Sequence, residues 1–172
     1  MDDNEKEWIK EVGAPYVSAF TMQEFFRRGE FLSVQSSLYW YMGGAHPNHG
    51  ITTLNFLGTE FGLASIEDLL GRDDEKAYRL VKYCKKVLLA MFDEEGLGDY
   101  IEESFEDQKN IWSLASQYNF DDRGLTINFS PYAVLPYVFG SHEVFVPWSF
   151  VTPLLDEKFV HFEETLAAAV ML

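Results

Sequence analysis

The sequence predicts an α+β fold, a mainly antiparallel sheet of about five to six strands with two central helices packed on one face. Three observations predict it: alternating apolar and polar residues in the first half, a helical apolar stripe in the middle, and renewed alternation afterwards. Strands, helices and strands joined by hairpin-length turns are typical of this class. No internal repeat or linker interrupts the chain, so we expect a single domain over residues 1–172.

The first half predicts an antiparallel meander. Arg28-Gly29 suits a hairpin turn, and the strand that follows carries apolar residues on one parity. A strand that alternates in this way buries its apolar side, so this parity is expected to face the core. A further strand is expected over residues 51–56, before Gly58 and Gly62. The residues of the expected buried side are Leu32, Val34, Leu38 and Trp40.

The middle of the chain predicts two helices. Asp73 is a suitable N-cap for a helix whose apolar residues recur three and four positions apart. A second, shorter helix is indicated by Leu97, Ile101 and Phe105, which are four residues apart. The apolar stripe of the long helix consists of Ala77, Leu80, Val81, Cys84, Leu88 and Met91.

Alternation with a period of two returns at Trp112 and predicts three more strands. Trp112, Leu114, Tyr118 and Phe120 share one parity, and residues 121–124 form a hairpin sequence. A returning strand is expected over residues 125–129 and a final strand over residues 143–147. Residues 163–172 are rich in helix formers.

The charge of the chain limits the classes of molecule that it is expected to bind. Its 13 basic and 28 acidic residues give a formal charge of -15, and 47% of the residues are hydrophobic, too many for a disordered acidic tail. Nucleic acid is excluded as the main partner, because binding it requires a cationic surface. A basic protein is favoured. Residues 93–107 contain eight acidic residues and no basic one; they form either a solvated face or part of an attracting field.

No pattern indicates catalysis, so we expect no enzyme, no cofactor and no metal. Cys84 is the one cysteine, which excludes a disulfide within the chain, and no nucleophile elbow or phosphate-binding loop is present. His46 and His49 form an H-x-x-H pair that lacks a third metal ligand. In the alternative interpretation His46 hydrogen-bonds the loop backbone and His49 faces solvent.

The sequence is compatible with two cellular compartments. No run approaches the roughly 20 apolar residues of a spanning helix, and the first residues show no secretory signal. The protein is expected to be extracytoplasmic, in the periplasm or at the cell surface, if a leader was removed. Otherwise it is expected to be cytoplasmic.

Tyrosines and two irregular loops form the candidate binding site. Tyrosine offers a large contact area and a polar tip, and it is enriched at binding hot spots. Two tyrosines lie opposite the apolar side of their strand, and two follow prolines at corners; in the alternative, other segments cover these rings. The predicted partner-binding residues are Tyr39, Tyr41, Gly43, Gly44, His46, Pro47, Asn48, Pro131, Tyr132, Pro136 and Tyr137.

Two motifs of the chain resemble those of a known family. They are G-G-A-H-P-N at residues 43–48 and the N-x-x-P-Y corner at residues 128–132. Shorter matches lie at residues 31–34, 54–56 and 143–148. From about residue 30 to residue 150 the chain resembles the RsiV-like domain. That family includes the extracytoplasmic, lysozyme-binding part of the anti-sigma factor RsiV and domains attached to peptidoglycan deacetylases. The resemblance implies an α+β fold and recognition of lysozyme or of the cell-wall glycan.

Three alternative functions are therefore considered. The first is a non-catalytic module that recognises a basic, lysozyme-like enzyme, with inhibition as one outcome. The second is a cytoplasmic immunity protein that neutralises a basic toxin. The third is a cell-wall glycan-binding or metal-dependent enzyme accessory domain, in which His46, His49 and carboxylates form the site. The oligomeric state is open.

Overall fold

A computed structural model describes residues 17–43, 45–106 and 111–169. The fold is α+β, but the six strands of these residues form two three-stranded antiparallel sheets instead of the one larger sheet predicted. The first sheet has the order β1 (Val17–Arg28), β2 (Phe31–Tyr41), β3 (Asn48–Leu57). The second has the order β4 (Tyr118–Phe120), β5 (Gly124–Phe129), β6 (His142–Pro147).

Short helices surround one long helix. The long helix begins after Asp73, whose carboxylate accepts hydrogen bonds from the backbone N–H groups of Glu75 and Lys76, so the predicted N-cap is confirmed. Its stripe is buried except at its end, where Met91 is 51% exposed. The α-helices are α1 (Gly58–Phe61), α2 (Ile66–Leu69), α3 (Asp74–Met91), α4 (Gly98–Ser104), α5 (Ile111–Ala115), α6 (Trp148–Val151) and α7 (Phe162–Ala168). Single 3-10 turns span Tyr137–Phe139, Thr152–Leu154 and Glu157–Phe159. No helix of the described ranges has the length and apolar character needed to cross a membrane.

The predicted orientation of β2 is wrong. The apolar parity faces outward, so Leu38 is 43% exposed, whereas Ser33 on the opposite parity is completely buried and Gln35 nearly so. The reversal follows from what covers the strand: the polar parity packs on the second sheet, where it finds hydrogen-bond partners.

Those partners form a buried polar network between the two sheets. Asn119 donates through Nδ2 to the Ser33 hydroxyl at 2.8 Å, and that hydroxyl donates to Asn55 Oδ1 at 2.7 Å. Gln35 Nε2 donates to Asn128 Oδ1 at 2.9 Å, and Asn128 Nδ2 donates to Asn119 Oδ1 at 3.0 Å. Because buried polar groups that keep their hydrogen bonds avoid the desolvation penalty, a polar face can serve as the inner face here.

Residues 112–115 also differ from the prediction, because they belong to helix α5 rather than to a strand. Ile111 and Ala115, four positions apart, are both buried, which is a helical spacing. The hairpin predicted at residues 121–124 is confirmed, since the Asp121 N–H donates to the Gly124 carbonyl at 3.0 Å. The strand before this turn is therefore only three residues long.

The second sheet lies between the first sheet and the helices. Neighbouring residues of a strand point to opposite faces. Asn128 reaches Gln35 of the first sheet, while the next residue, Phe129, contacts the ring of Phe105 at the end of α4. Helix α3 packs against β6 on this helical side. This arrangement explains why all residues of β4 and β5 are buried.

Candidate functional site

The two loops predicted to bind a partner meet in the structure. The ring of His46, from the loop between β2 and β3, stacks on Tyr137 with centroids 4.1 Å apart and planes 22° apart. Tyr132 lies 5.4 Å from Tyr137 between ring centroids, and His49 lies 6.1 Å from it. Tyr39 contacts His49 edge to face at 5.0 Å. We call Tyr39, His46, His49, Tyr132 and Tyr137 the aromatic cluster.

Hydrogen bonds fix the two loops to each other. The Pro47 carbonyl accepts from the Tyr137 hydroxyl at 2.6 Å and lies 2.8 Å from His46 Nδ1. A carbonyl can only accept, so Nδ1 carries a proton and donates to it, while Nε2 is within hydrogen-bond distance of the Tyr132 hydroxyl at 3.2 Å. His46 thus joins residues that are 86 positions apart in the sequence.

His46 and His49 both contact other protein groups in the loops. Both nitrogens of His46 have protein partners, and the ring of His49 lies against Tyr39 and Tyr137. Within residues 17–43, 45–106 and 111–169, no group of three or more histidine, cysteine or acidic residues is arranged to hold a metal ion. The His46 ring does contact the loop backbone, as one interpretation of the sequence expected, but it also binds a second loop.

Tyr132 is held in an unfavourable backbone conformation. Its φ is +69°, in the left-handed region that side chains rarely adopt, and it is 56% exposed. The left-handed region costs roughly 1–2 kcal/mol for an L-residue. Burial of the ring does little to offset this cost. Such strain in an exposed residue points to a function for its position.

The remaining predicted residues support the loops or flank them. Pro136 precedes the 3-10 turn that carries Tyr137, and Pro131 precedes Tyr132. Tyr41 is half buried at the end of β2, where it pairs with Val17. Exposed Asn48 begins β3. Gly43 adopts a φ of +83° in the turn after β2, and Gly44 lies outside the described residues.

The position of Tyr39 corrects the parity argument. It lies on the same side of β2 as buried Ser33 and Gln35, yet it is only half buried. Strand β5 ends at Phe129, and beyond this point the following segment stays attached through Ser130, whose hydroxyl accepts from the Ile51 N–H at 3.1 Å. The cluster therefore occupies the inner face of the first sheet where the second sheet ends.

No sequence signal indicates that an acidic segment begins close to the 3-10 turn that carries Tyr137. Phe92, at the end of α3, contacts the ring of Phe139 at 6.0 Å and the ring of His142 at 4.9 Å. Phe139 closes the 3-10 turn that begins with Tyr137, and the acidic run begins directly after Phe92. The described acidic residues of the run are all exposed: Asp93, Glu94, Glu95, Asp99, Glu102, Glu103 and Glu106.

One exposed apolar residue extends the cluster. Val138 follows Tyr137 and is 83% exposed. With His49, Pro131 and Tyr137 it lines a depression of about 550 Å³. The exposed surface here therefore combines aromatic rings with an aliphatic side chain.

Cys84 takes no part in such chemistry. It lies in the core on α3, and burial raises the pKa of its thiol to about 12. Since the thiolate is the nucleophile and the metal ligand, this cysteine is inert at neutral pH.

Comparison with known proteins finds one matching sequence family. Residues 67–149 match DUF3298, a family described as a protein of unknown function. The match begins after the first sheet, so it includes Tyr132 and Tyr137 but neither His46 nor His49. No curated protein matches the chain in sequence.

Two solved structures share the architecture. A DUF3298 family protein of Pseudomonas aeruginosa PAO1 superposes with a TM-score of 0.66 at 16% identity, over 90% of this chain and 69% of that one. A member of the same family from Bacteroides fragilis NCTC 9343 gives a TM-score of 0.69 at 20% identity, over 94% of this chain and 64% of that one. The chain thus spans about two thirds of each, and the likeness concerns the fold.

Proposed function

We propose that this chain is a non-catalytic binding module for a basic protein, and that the aromatic cluster is its contact surface. One observation carries the proposal: two loops distant in sequence hold exposed and half-buried rings in one fixed arrangement, at the expense of a strained backbone at Tyr132. Rings fixed before binding lose little entropy when a partner arrives. Tyrosine is among the residues that dominate binding energy at protein interfaces.

The proposed partner is a lysozyme-like enzyme. The resemblance to the RsiV-like domain supports this choice, and so does the charge of -15, because lysozymes are commonly basic. Oppositely charged proteins associate faster through long-range attraction. The contact of Phe92 with Phe139 places the beginning of the acidic run next to the cluster, where this attraction would guide docking.

The first test removes a ring. Tyr132→Ala should weaken binding of a basic lysozyme at least tenfold, as measured by isothermal titration calorimetry. Tyr100→Ala is the matched control, because Tyr100 is also an exposed tyrosine but lies on α4. Equal affinities of the two variants would contradict the assignment of the cluster.

The second test removes charge. Neutralising residues 93–95 with Asn and Gln should lower the association rate, and 0.5 M salt should lower it in the unmodified chain by screening. A control with the same charge change neutralises exposed Glu67, Glu75 and Glu157. A rate that is insensitive to salt and to both triple variants would contradict steering. Binding of another basic protein but of no lysozyme would favour the toxin-neutralising function.

A further inference from the structure

A second surface lies along helix α3 and has the opposite charge. It is a groove of about 630 Å³ between α3, the end of α4, the start of α5 and Phe150 of α6. Four cations line it, and we call it the basic groove. They are Arg79, Lys82, Lys85 and Lys86. No residue of the aromatic cluster lines the groove, so it is separate from the proposed protein-binding surface.

The charge of the groove is unusual for this protein. Among the described residues, four cations line the groove against one acidic residue, Glu102, which forms an ion pair with Lys85. Lys82 also lies over the ring of Tyr78 at 5.9 Å. The rest of this acidic molecule repels anions over long distances, so an anion can be held only where cations gather.

The floor of the groove is apolar. Tyr83 packs against Phe150 with ring centroids 4.5 Å apart, and the buried side chains of Phe105 and Ile111 line the base of the groove. The volume falls within the range of roughly 300–1,000 Å³ that is typical of small-molecule sites. An apolar floor below a cationic rim matches a molecule with an apolar body and an anionic head.

We propose that the basic groove binds a single-chain anionic amphiphile, of the class of a fatty-acid carboxylate. The alkyl chain lies on Tyr83, Phe105 and Phe150, and the carboxylate lies at the rim, where Lys82 and Lys86 donate hydrogen bonds. Both lysines are exposed on α3 four positions apart, so their ammonium groups can reach the same head group.

The first experiment titrates the full chain with dodecanoate below its micellar concentration and follows binding by calorimetry. Dodecyltrimethylammonium, with the same chain and the opposite charge, is the comparison. We expect saturable binding of one dodecanoate per chain and at least tenfold weaker binding of the cation. Equal binding of both, or no binding of dodecanoate, would overturn the proposal.

The second experiment tests the rim. Lys82→Gln with Lys86→Gln should weaken dodecanoate binding at least tenfold. Arg72→Gln with Lys158→Gln removes two exposed cations that do not line the groove and should leave binding unchanged. Circular dichroism and thermal unfolding establish that both variants are folded. If both double variants lose affinity equally, the effect belongs to net charge and the groove is not the site.

Discussion

The two sheets bury their residues in different ways. In the second sheet all nine residues of β4 and β5 are buried between the first sheet and the helices, while Glu143 and Phe145 of the edge strand β6 are exposed. Within the described residues the second sheet covers one face of the first sheet, and the outer face carries exposed apolar side chains. There Leu38 pairs directly with Phe20, which is 61% exposed. An apolar face of a strand is thus not always its buried face. Which face is buried depends on the element that packs against the strand.

The outer face of the first sheet is continuous. Residues paired across an antiparallel sheet lie on the same face. Glu24 and Leu54 both pair with Val34, and Met22 and Thr52 both pair with Ser36. The more exposed apolar members of this face are Phe20, Met22, Leu38 and Leu54.

The largest difference between the sheets should appear when the same substitution is made in each. Leu125→Ala in β5 removes a fully buried side chain and should lower the free energy of unfolding by about 2–5 kcal/mol. Leu38→Ala in β2 should lower it by less than about 1 kcal/mol. Urea unfolding at equilibrium measures both. Similar losses would mean that the outer face of the first sheet is covered in solution.

The next effect concerns the contact between the sheets. Asn119→Ala leaves the Ser33 hydroxyl and Asn128 Nδ2 each without one buried partner, and should lower the free energy of unfolding by about 1–3 kcal/mol. Ser36→Ala on the outer face, which removes an exposed hydrogen bond to the Thr52 carbonyl, is the control and should be within about 0.5 kcal/mol of the unmodified chain. Equal stability of the two variants would show that the polar network contributes nothing to stability.

The same comparison explains which parts of the fold the sequence predicts. The sequence predicts helix α3 correctly because its apolar stripe and its N-cap are both local signals. The orientation of β2 was predicted wrongly, because the partners of Ser33 and Gln35 lie 86 and 93 residues away in the chain. Residues 112–115 alternate by chance, since helical burial of Ile111 and Ala115 depends on the neighbouring helix α3.

The candidate site shows the same limit. Local sequence identified the proline-tyrosine corners and the loop with His46, because glycine, proline and aromatic residues are recognisable in any context. It did not show that the two loops touch, which depends on β5 ending at Phe129. The role of Phe92 beside Phe139 had no sequence signal, because one phenylalanine at a helix end resembles any other core residue.

A smaller effect of opposite sign is expected at the cluster, where both sheets end. Tyr132→Gly relieves the backbone cost at a φ of +69° and removes a mostly exposed ring. Glycine also increases the freedom of the unfolded chain. We expect the free energy of unfolding to rise by up to about 1 kcal/mol, while the proposed binding of a lysozyme is lost. Loss of both stability and binding would indicate a structural role for the ring.

The smallest effect is a pH dependence at the start of β6. His142 Nε2 is the one buried side-chain nitrogen or oxygen in the described parts of the chain that has no hydrogen-bond partner. Burial lowers the pKa of this histidine, against a smaller opposite effect of a hydrogen bond with the Phe139 backbone. On acidification the unfolded chain therefore takes up a proton first, near pH 6.5, and the folded chain only at lower pH.

The stability contributed by neutral His142 is thus complete above about pH 6.5 and decreases as the pH falls through the lowered pKa. His142→Phe keeps an aromatic ring beside Phe92 and removes this titration, so its urea midpoint should change less between pH 8 and pH 5 than that of the unmodified chain. His161→Gln, at an exposed histidine, should keep the full change. If His161→Gln also flattens the profile, the pH dependence does not come from the buried edge of the second sheet.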